Sequence, residues 1–249
     1  MAASPTHRPP KIIFVTGTDT GAGKTLLTAL LLCHLRETGV RALAMKPFCS
    51  GGRADVELLS AIQNNELPKE LVNPFYFKEP VAPLIAARKH RRKIELYEVL
   101  EKIREVETRC GCLLIEGSGG LLVPLGEGYS VLDLIAQLRC KVVVAARNQL
   151  GVINHTLLTL KIMQVAGIKN ITVSLMNRKH SDISALSNKQ TLQEILRPIP
   201  VYVIPFLGVN AHRTQAITTN RTKLKKTLAL IANTDSVSSV DCENAVSSD

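Results

Sequence analysis

Between residues 11 and 232, short uninterrupted apolar runs alternate with longer stretches whose apolar positions recur every three or four residues. Runs of the first kind mark strands buried on both faces, and recurrence of the second kind marks helices with one face on a core. The pattern predicts strands at 11–17, 41–47, 112–117, 141–147, 171–178 and 200–206. It predicts helices at 24–38, 54–64, 82–89, 94–109, 153–166, 188–196 and 221–232. The first helix presents Leu27, Leu30, Leu31 and Leu35 on one side and stops at Gly39. Buried strands separated by helices imply an α/β fold, a parallel sheet with helices on both faces, and the absence of a Pro- or Ser-rich linker implies a single domain over 11–232. Residues 1–10, with three prolines, and 233–249, poor in large apolar side chains, are expected to be flexible tails.

Composition changes this picture little. With 45% hydrophobic residues, no tryptophan and 4% aromatics, 249 residues can bury a large aliphatic core. No apolar stretch reaches membrane-spanning length, and the first residues lack the apolar centre of a secretory signal, so the expected location is the cytoplasm, without membrane partners. Six cysteines show no metal-binding spacing and are expected as mostly buried thiols. Cys110 and Cys112 are read as entering a strand and sharing one of its faces.

The net charge of +10 raises the question of nucleic acid. The densest basic run, Arg88-Lys89-His90-Arg91-Arg92-Lys93, carries no interleaved aromatics and accompanies no recognition motif. It reads as a solvated connector between helices, so no nucleic-acid partner is expected. A basic field of this size can instead speed the capture of anionic nucleotides.

The chemistry begins at Lys11–Thr25, where an apolar strand meets a glycine-bearing loop and then Lys24-Thr25 at a helix start. Converging backbone N–H groups, a helix N-terminus, a lysine and a hydroxyl together make a triphosphate and magnesium site. The common spacing G-x-x-x-x-G-K-[ST] would place its first glycine at 18, but Thr18 stands there and Gly17 lies one residue early. Other polar groups gather at strand ends, where parallel sheets bind ligands. Lys46 to Gly52 follow the second strand, and Glu116-Gly117-Ser118-Gly119-Gly120 follow the CLLIEG strand. From spacing alone, Glu116 is a magnesium ligand or a turn cap, Lys46 a catalytic cation or surface charge, and Asp55 a metal ligand or a helix-start residue. His155 is a first-turn structural residue or a general base. No nucleophile elbow occurs, so covalent catalysis has no support.

Taken together, GTDTGAGKT with its early glycine, the KP-x-x-SG segment at Lys46–Gly51, EG-x-GG at Glu116–Gly120, VNPFYF at 72–77, EPVAPLIAAR at 79–88 and LGVINHTLLT at 150–159 resemble the dethiobiotin synthetase family, in order, over about residues 11–210. The resemblance implies a P-loop NTPase-like fold and a homodimeric ATP-dependent ligase of biotin synthesis. Such an enzyme converts 7,8-diaminononanoate, CO2 and ATP into dethiobiotin, ADP and phosphate through a carbamate. It further implies that Gly21, Ala22, Gly23, Lys24, Thr25 and Leu26 hold the ATP phosphates, with Lys24 and Lys46 catalytic. Thr25, Asp55 and Glu116 would hold Mg2+. Gly117, Ser118 and Gly119 would border the nucleotide, and Asn177, Pro205, Phe206 and Leu207 would surround adenine. Ser50 would contact the diamine, and Gly151, Val152 and Asn154 of the other subunit its carboxylate. Two departures stand out: only GGRA separates Ser50 from Asp55, where many relatives have a longer loop, and GVNAHR at 208–213 lacks an acidic residue for the ribose. The competing reading is a regulatory partition or cell-division-site ATPase; those proteins carry an extra lysine early in the loop, where this chain has Asp19.

Overall fold

The structure, a computed structural model, describes residues 11–232; the two predicted tails, and Cys242 with them, lie outside the described residues. In chain order, β1 (Ile12–Gly17), α1 (Lys24–Glu37), β2 (Ala42–Met45), β3 (Phe48–Ser50), α2 (Ala54–Ile62), α3 (Lys69–Val72), β4 (Phe75–Phe77), α4 (Pro83–Lys89), α5 (Leu96–Glu107) and β5 (Cys112–Glu116) make the first half. The second half holds β6 (Pro124–Gly126), β7 (Tyr129–Ser130), α6 (Val131–Leu138), β8 (Lys141–Arg147), α7 (Val152–Val165), β9 (Ile171–Met176), a 3-10 turn (Ile183–Leu186), α8 (Asn188–Ile195), β10 (Val201–Ile204), α9 (Thr214–Lys223) and α10 (Lys225–Ala232).

Six strands form one parallel sheet in the order β10-β9-β8-β1-β5-β2. Strand alternation divides the apolar residues between two cores. Ile12, Phe14, Leu113, Ile115, Val142 and Val144 pack with Val99, Ile103, Leu134 and Leu160 of the helices on one face. Ile13, Val15, Leu114, Val143 and Ala145 pack with Leu27, Leu30, Leu31, Leu228 and Ile231 on the other. Both faces are covered, and this explains why the strands read as unbroken apolar runs. Later strands leave β1 on opposite sides, so a crevice opens at its carboxyl end.

Several expectations need correction. Residues 221–232 are not one helix: α9 ends at Lys223, Leu224 caps it, and α10 begins at Lys225. Periodicity misses most of α9, because TQAITTNRTK buries only Ile217, Asn220 and Arg221. It misses α6 as well, although the reciprocal capping of Ser130 and Asp133 is legible as Ser-x-x-Asp. Cys110 lies before β5 rather than in it and is half-buried, so the shared-face expectation fails. The basic run does connect α4 and α5, and it is partly neutralised. Arg88 makes a two-pronged pair with Glu127 at 2.7 and 2.8 Å, Lys89 and His90 meet Glu79, Lys93 meets Glu95, and Arg92 lies over the Phe75 ring.

Leu114 is fully buried on β5, between β1 and β2. Leu114→Ala should cost about 2–5 kcal/mol of stability, read as a lower urea midpoint with little change in slope.

Candidate active site

The turn from β1 to α1 builds a cradle. Gly21 and Gly23 have φ of +67° and +96°, a left-handed backbone that aims successive amides inward. A Cβ on Gly23 would lie 2.9 Å from Met176 Cγ, and one on Gly21 would collide with the Arg147 guanidinium. The early Gly17 has a different cause: a Cβ there would stand 3.2 Å from both Ala22 Cβ and the Asp19 carbonyl. Arg147, at the end of β8, donates from Nε to the Gly21 carbonyl at 2.8 Å and from Nη2 to the Thr20 carbonyl at 3.0 Å. Sequence reading missed this clamp, since an arginine ending a strand carries no local signal.

Lys24 folds back over the cradle and donates to the carbonyls of Asp19 at 3.0 Å and Gly119 at 2.7 Å. Burial pulls its pKa down to about 8; the Glu116 carboxylate opposes this and the Lys46 ammonium adds to it. Glu116 is buried at the end of β5, level with Val15 of β1. Its Oε1 accepts from Thr25 Oγ1 at 2.8 Å and from Lys46 Nζ at 2.7 Å, while Oε2 is buried without a partner. Burial pushes the Glu116 carboxyl up against the pull of Lys46. Lys46 follows β2 and also pairs with Asp55 in the first turn of α2. Burial alone would lower the Lys46 ammonium, yet Glu116 and Asp55 outweigh it and hold the group firmly charged. Lys46 is thus an anchored cation rather than surface charge. Its backbone is fixed too, since Asn73 Nδ2 donates to the Lys46 carbonyl at 2.9 Å.

Thr25 bonds Glu116 directly, and Lys46 bridges Glu116 to Asp55, so the three residues lie in one linked cluster at the sheet ends despite the short GGRA loop. Their donor set is hard oxygen with one orphaned carboxylate atom, and that suits Mg2+. Among the described residues no three His, Cys, Asp or Glu side chains gather as a cage. Magnesium does not need one, because it keeps waters and phosphate oxygens as ligands.

The remaining expected residues fall into three places. Gly117 packs so closely that a Cβ would be 2.9 Å from Phe14 Cε1, Gly119 supplies the carbonyl for Lys24, and Ser118 Oγ donates to the Phe48 carbonyl at 2.6 Å. The hydroxyl of Ser118 thus ties down β3, where Ser50 Oγ is buried without a partner. A cavity of about 370 Å3 opens beside the cradle, lined by Gly21, Ala22, Gly23, Leu26, Asn177 and Pro205–Leu207, with Arg147, Arg178 and Lys179 at its wall. Gly151, Val152 and Asn154 are elsewhere: they start α7, which packs on β8 and α8, and the fold of one chain does not bring them into the Lys46–Glu116 cluster. His155 is exposed in that same turn.

A family described as an AAA domain matches residues 11–210. A curated relative from Bacillus licheniformis, named ATP-dependent dethiobiotin synthetase BioD, is 39% identical over 207 residues, 80% of this chain and 85% of its own length. The chain belongs to the dethiobiotin synthetase family. A relative of the same name from Anaeromyxobacter dehalogenans is 36% identical over 82% of this chain and 94% of its own length. Among solved structures, a plasmid partition protein from Borrelia burgdorferi bound to AMPPNP superposes with a TM-score of 0.56 at 15% identity, covering 89% of this chain and 98% of its own. A ParA family ATPase from Chlorobium tepidum gives 0.53 at 14% identity, covering 90% and 98%. At such identities these two establish the P-loop fold alone. No described helix is long and apolar enough to cross a membrane.

Gly23→Ala combines a left-handed φ with the Met176 contact. It should destabilise the protein by about 1–2 kcal/mol and weaken ATP binding, measured by urea unfolding and ATP titration. Unchanged ATP affinity would mean that the cradle tolerates a side chain.

Proposed function

We propose that this chain is an ATP-dependent dethiobiotin synthetase, joining 7,8-diaminononanoate and CO2 into the ureido ring of dethiobiotin. One amine adds to CO2 and loses a proton to give a carbamate. A carbamate oxygen then attacks the γ-phosphorus, and ADP leaves. The second amine attacks the carbonyl carbon of the resulting carbamic–phosphoric anhydride and loses its proton, phosphate departs with the bonding pair, and the ring closes. Such chemistry needs positioning and charge stabilisation rather than a protein nucleophile.

The observation that carries the reading is the Lys46 ammonium, held charged between Glu116 and Asp55 and sharing the Glu116 Oε1 acceptor with the cradle's Thr25 hydroxyl. A fixed cation in that position suits oxygens shared between a carbamate and a γ-phosphoryl group. Lys24 would turn from the Asp19 and Gly119 carbonyls to phosphate oxygens. Thr25, Asp55 and Glu116 would hold Mg2+, which when bound neutralises phosphate charge. Ser50, with its free hydroxyl, would meet the diamine, and Asn177 with Pro205–Leu207 would face adenine. The N-terminus of α7, carrying Gly151, Val152 and Asn154, would take the substrate carboxylate across a homodimer. The exposed Leu150, Leu158 and Val165 on and beside that helix support its burial against a second copy.

Purified protein with diaminononanoate, bicarbonate and Mg-ATP should yield dethiobiotin by mass and one ADP per product; ATP hydrolysis indifferent to the diamine would favour the regulatory ATPase instead. Lys46→Ala should keep ATP affinity within about threefold while lowering turnover at least about a hundredfold. Turnover near that of the unaltered protein would remove Lys46 from the chemistry. Leu158→Asp should shift the sedimentation mass to that of a single chain and abolish synthesis, and an active monomer would rule out a carboxylate site on the second copy.

A further inference from the structure

Three asparagines, Asn188, Asn148 and Asn177, form a chain of amides that ends at the nucleotide cavity. Asn148 follows β8, Asn188 opens α8, and both are buried, at 1% and 3% exposure. Asn188 Nδ2 donates to Asn148 Oδ1 at 2.9 Å, and Asn148 Nδ2 donates to Asn177 Oδ1 at 2.8 Å. An amide can be turned end for end, so the direction of such a chain has to be set by something that cannot turn. Backbone carbonyls set it here, because they only accept. Asn148 Nδ2 also meets the Ala185 carbonyl at 3.3 Å, and Asn188 Nδ2 meets the Gln149 carbonyl at 3.5 Å. With both nitrogens committed, the Asn177 atom facing Asn148 has to be its oxygen. The backbone agrees, since the Asn148 N–H donates to the Met176 carbonyl at 3.0 Å and locks the two strand ends in register.

We propose that Asn148 and Asn188 are positioning residues that fix the Asn177 amide in one orientation, its nitrogen turned to the cavity, and so make the site read the 6-position of a purine. This rests on the reading of Asn177 as a nucleobase contact. In the fixed orientation the Asn177 nitrogen donates to N7, while the second lone pair of its oxygen accepts from a 6-amino group. A 6-oxo purine sets its own oxygen against that lone pair. A purine differing from adenine at this edge is therefore rejected, although its size and shape are nearly the same. A purely structural network would hold α8 on the strand ends and leave base preference unchanged.

The test measures equilibrium binding of ATP and ITP to the full chain by calorimetry, with thermal midpoints recorded in parallel. The unaltered protein should prefer ATP at least about fivefold. Asn148→Leu removes the donor that holds Asn177, and Asn148→Asp places only acceptors opposite it, which drives the Asn177 amide to turn over. Both should weaken ATP binding and bring the ATP-to-ITP ratio close to one, with ITP affinity little changed; whichever variant folds carries the comparison. Equal ATP and ITP affinity in the unaltered protein would overturn the inference and leave the synthetase reading intact, as would a folded Asn148 variant that keeps the full preference. A folded protein that binds neither nucleotide would overturn both.

Discussion

Glu116 sits at the end of the strand beside β1 with its side chain excluded from solvent, and a carboxylate in such a place has to be met by donors and cations. Thr25 answers from the first helix and Lys46 from the strand end on the far side of β5. Lys46 in turn draws in Asp55 from α2. One buried charge therefore ties together the phosphate cradle, two strand ends and the start of a helix, and it leaves one carboxylate oxygen over. Removing Lys46 would strand Glu116 in a low-dielectric setting, whereas Lys46 would keep Asp55 if Glu116 were lost. The sheet supports this arrangement by keeping its carboxyl ends in register, with Val15 level with Glu116.

The sheet was readable because every strand is covered on both faces and so advertises itself as an apolar run. The cradle was readable because phosphate chemistry requires a fixed local order of glycine, lysine and hydroxyl. What escaped has other causes. The helix α9 is polar almost throughout and takes its place by packing along α1, with α2 and α10 beside it, so it lacks a periodic signature. The short pairs β3–β4 and β6–β7 have too few residues to show alternation. Asn148, Asn188 and Arg147 matter through partners 29 to 127 positions away, and neither spacing nor composition contains that information.

Charge shows the same divide between chain and fold. Six consecutive basic or imidazole residues look like a patch in the sequence. In the fold, Glu79, Glu95 and Glu127 surround them, and one guanidinium spreads over an aromatic ring. Arg147 from the end of β8 and the neighbouring pair Arg178-Lys179 after β9 gather instead at the cavity wall. The basic character at the cavity is brought together by the parallel pairing of β8 and β9.

The Arg147 clamp has a consequence for the entropy of binding. A glycine-rich turn is free to wander in solution, and a ligand that must freeze it loses affinity in proportion to the freedom removed. By donating to the Thr20 and Gly21 carbonyls from the neighbouring strand, Arg147 restrains that turn before any ligand arrives. The cost falls on folding rather than on each catalytic cycle, and the flexibility that glycine brings is kept for shape alone.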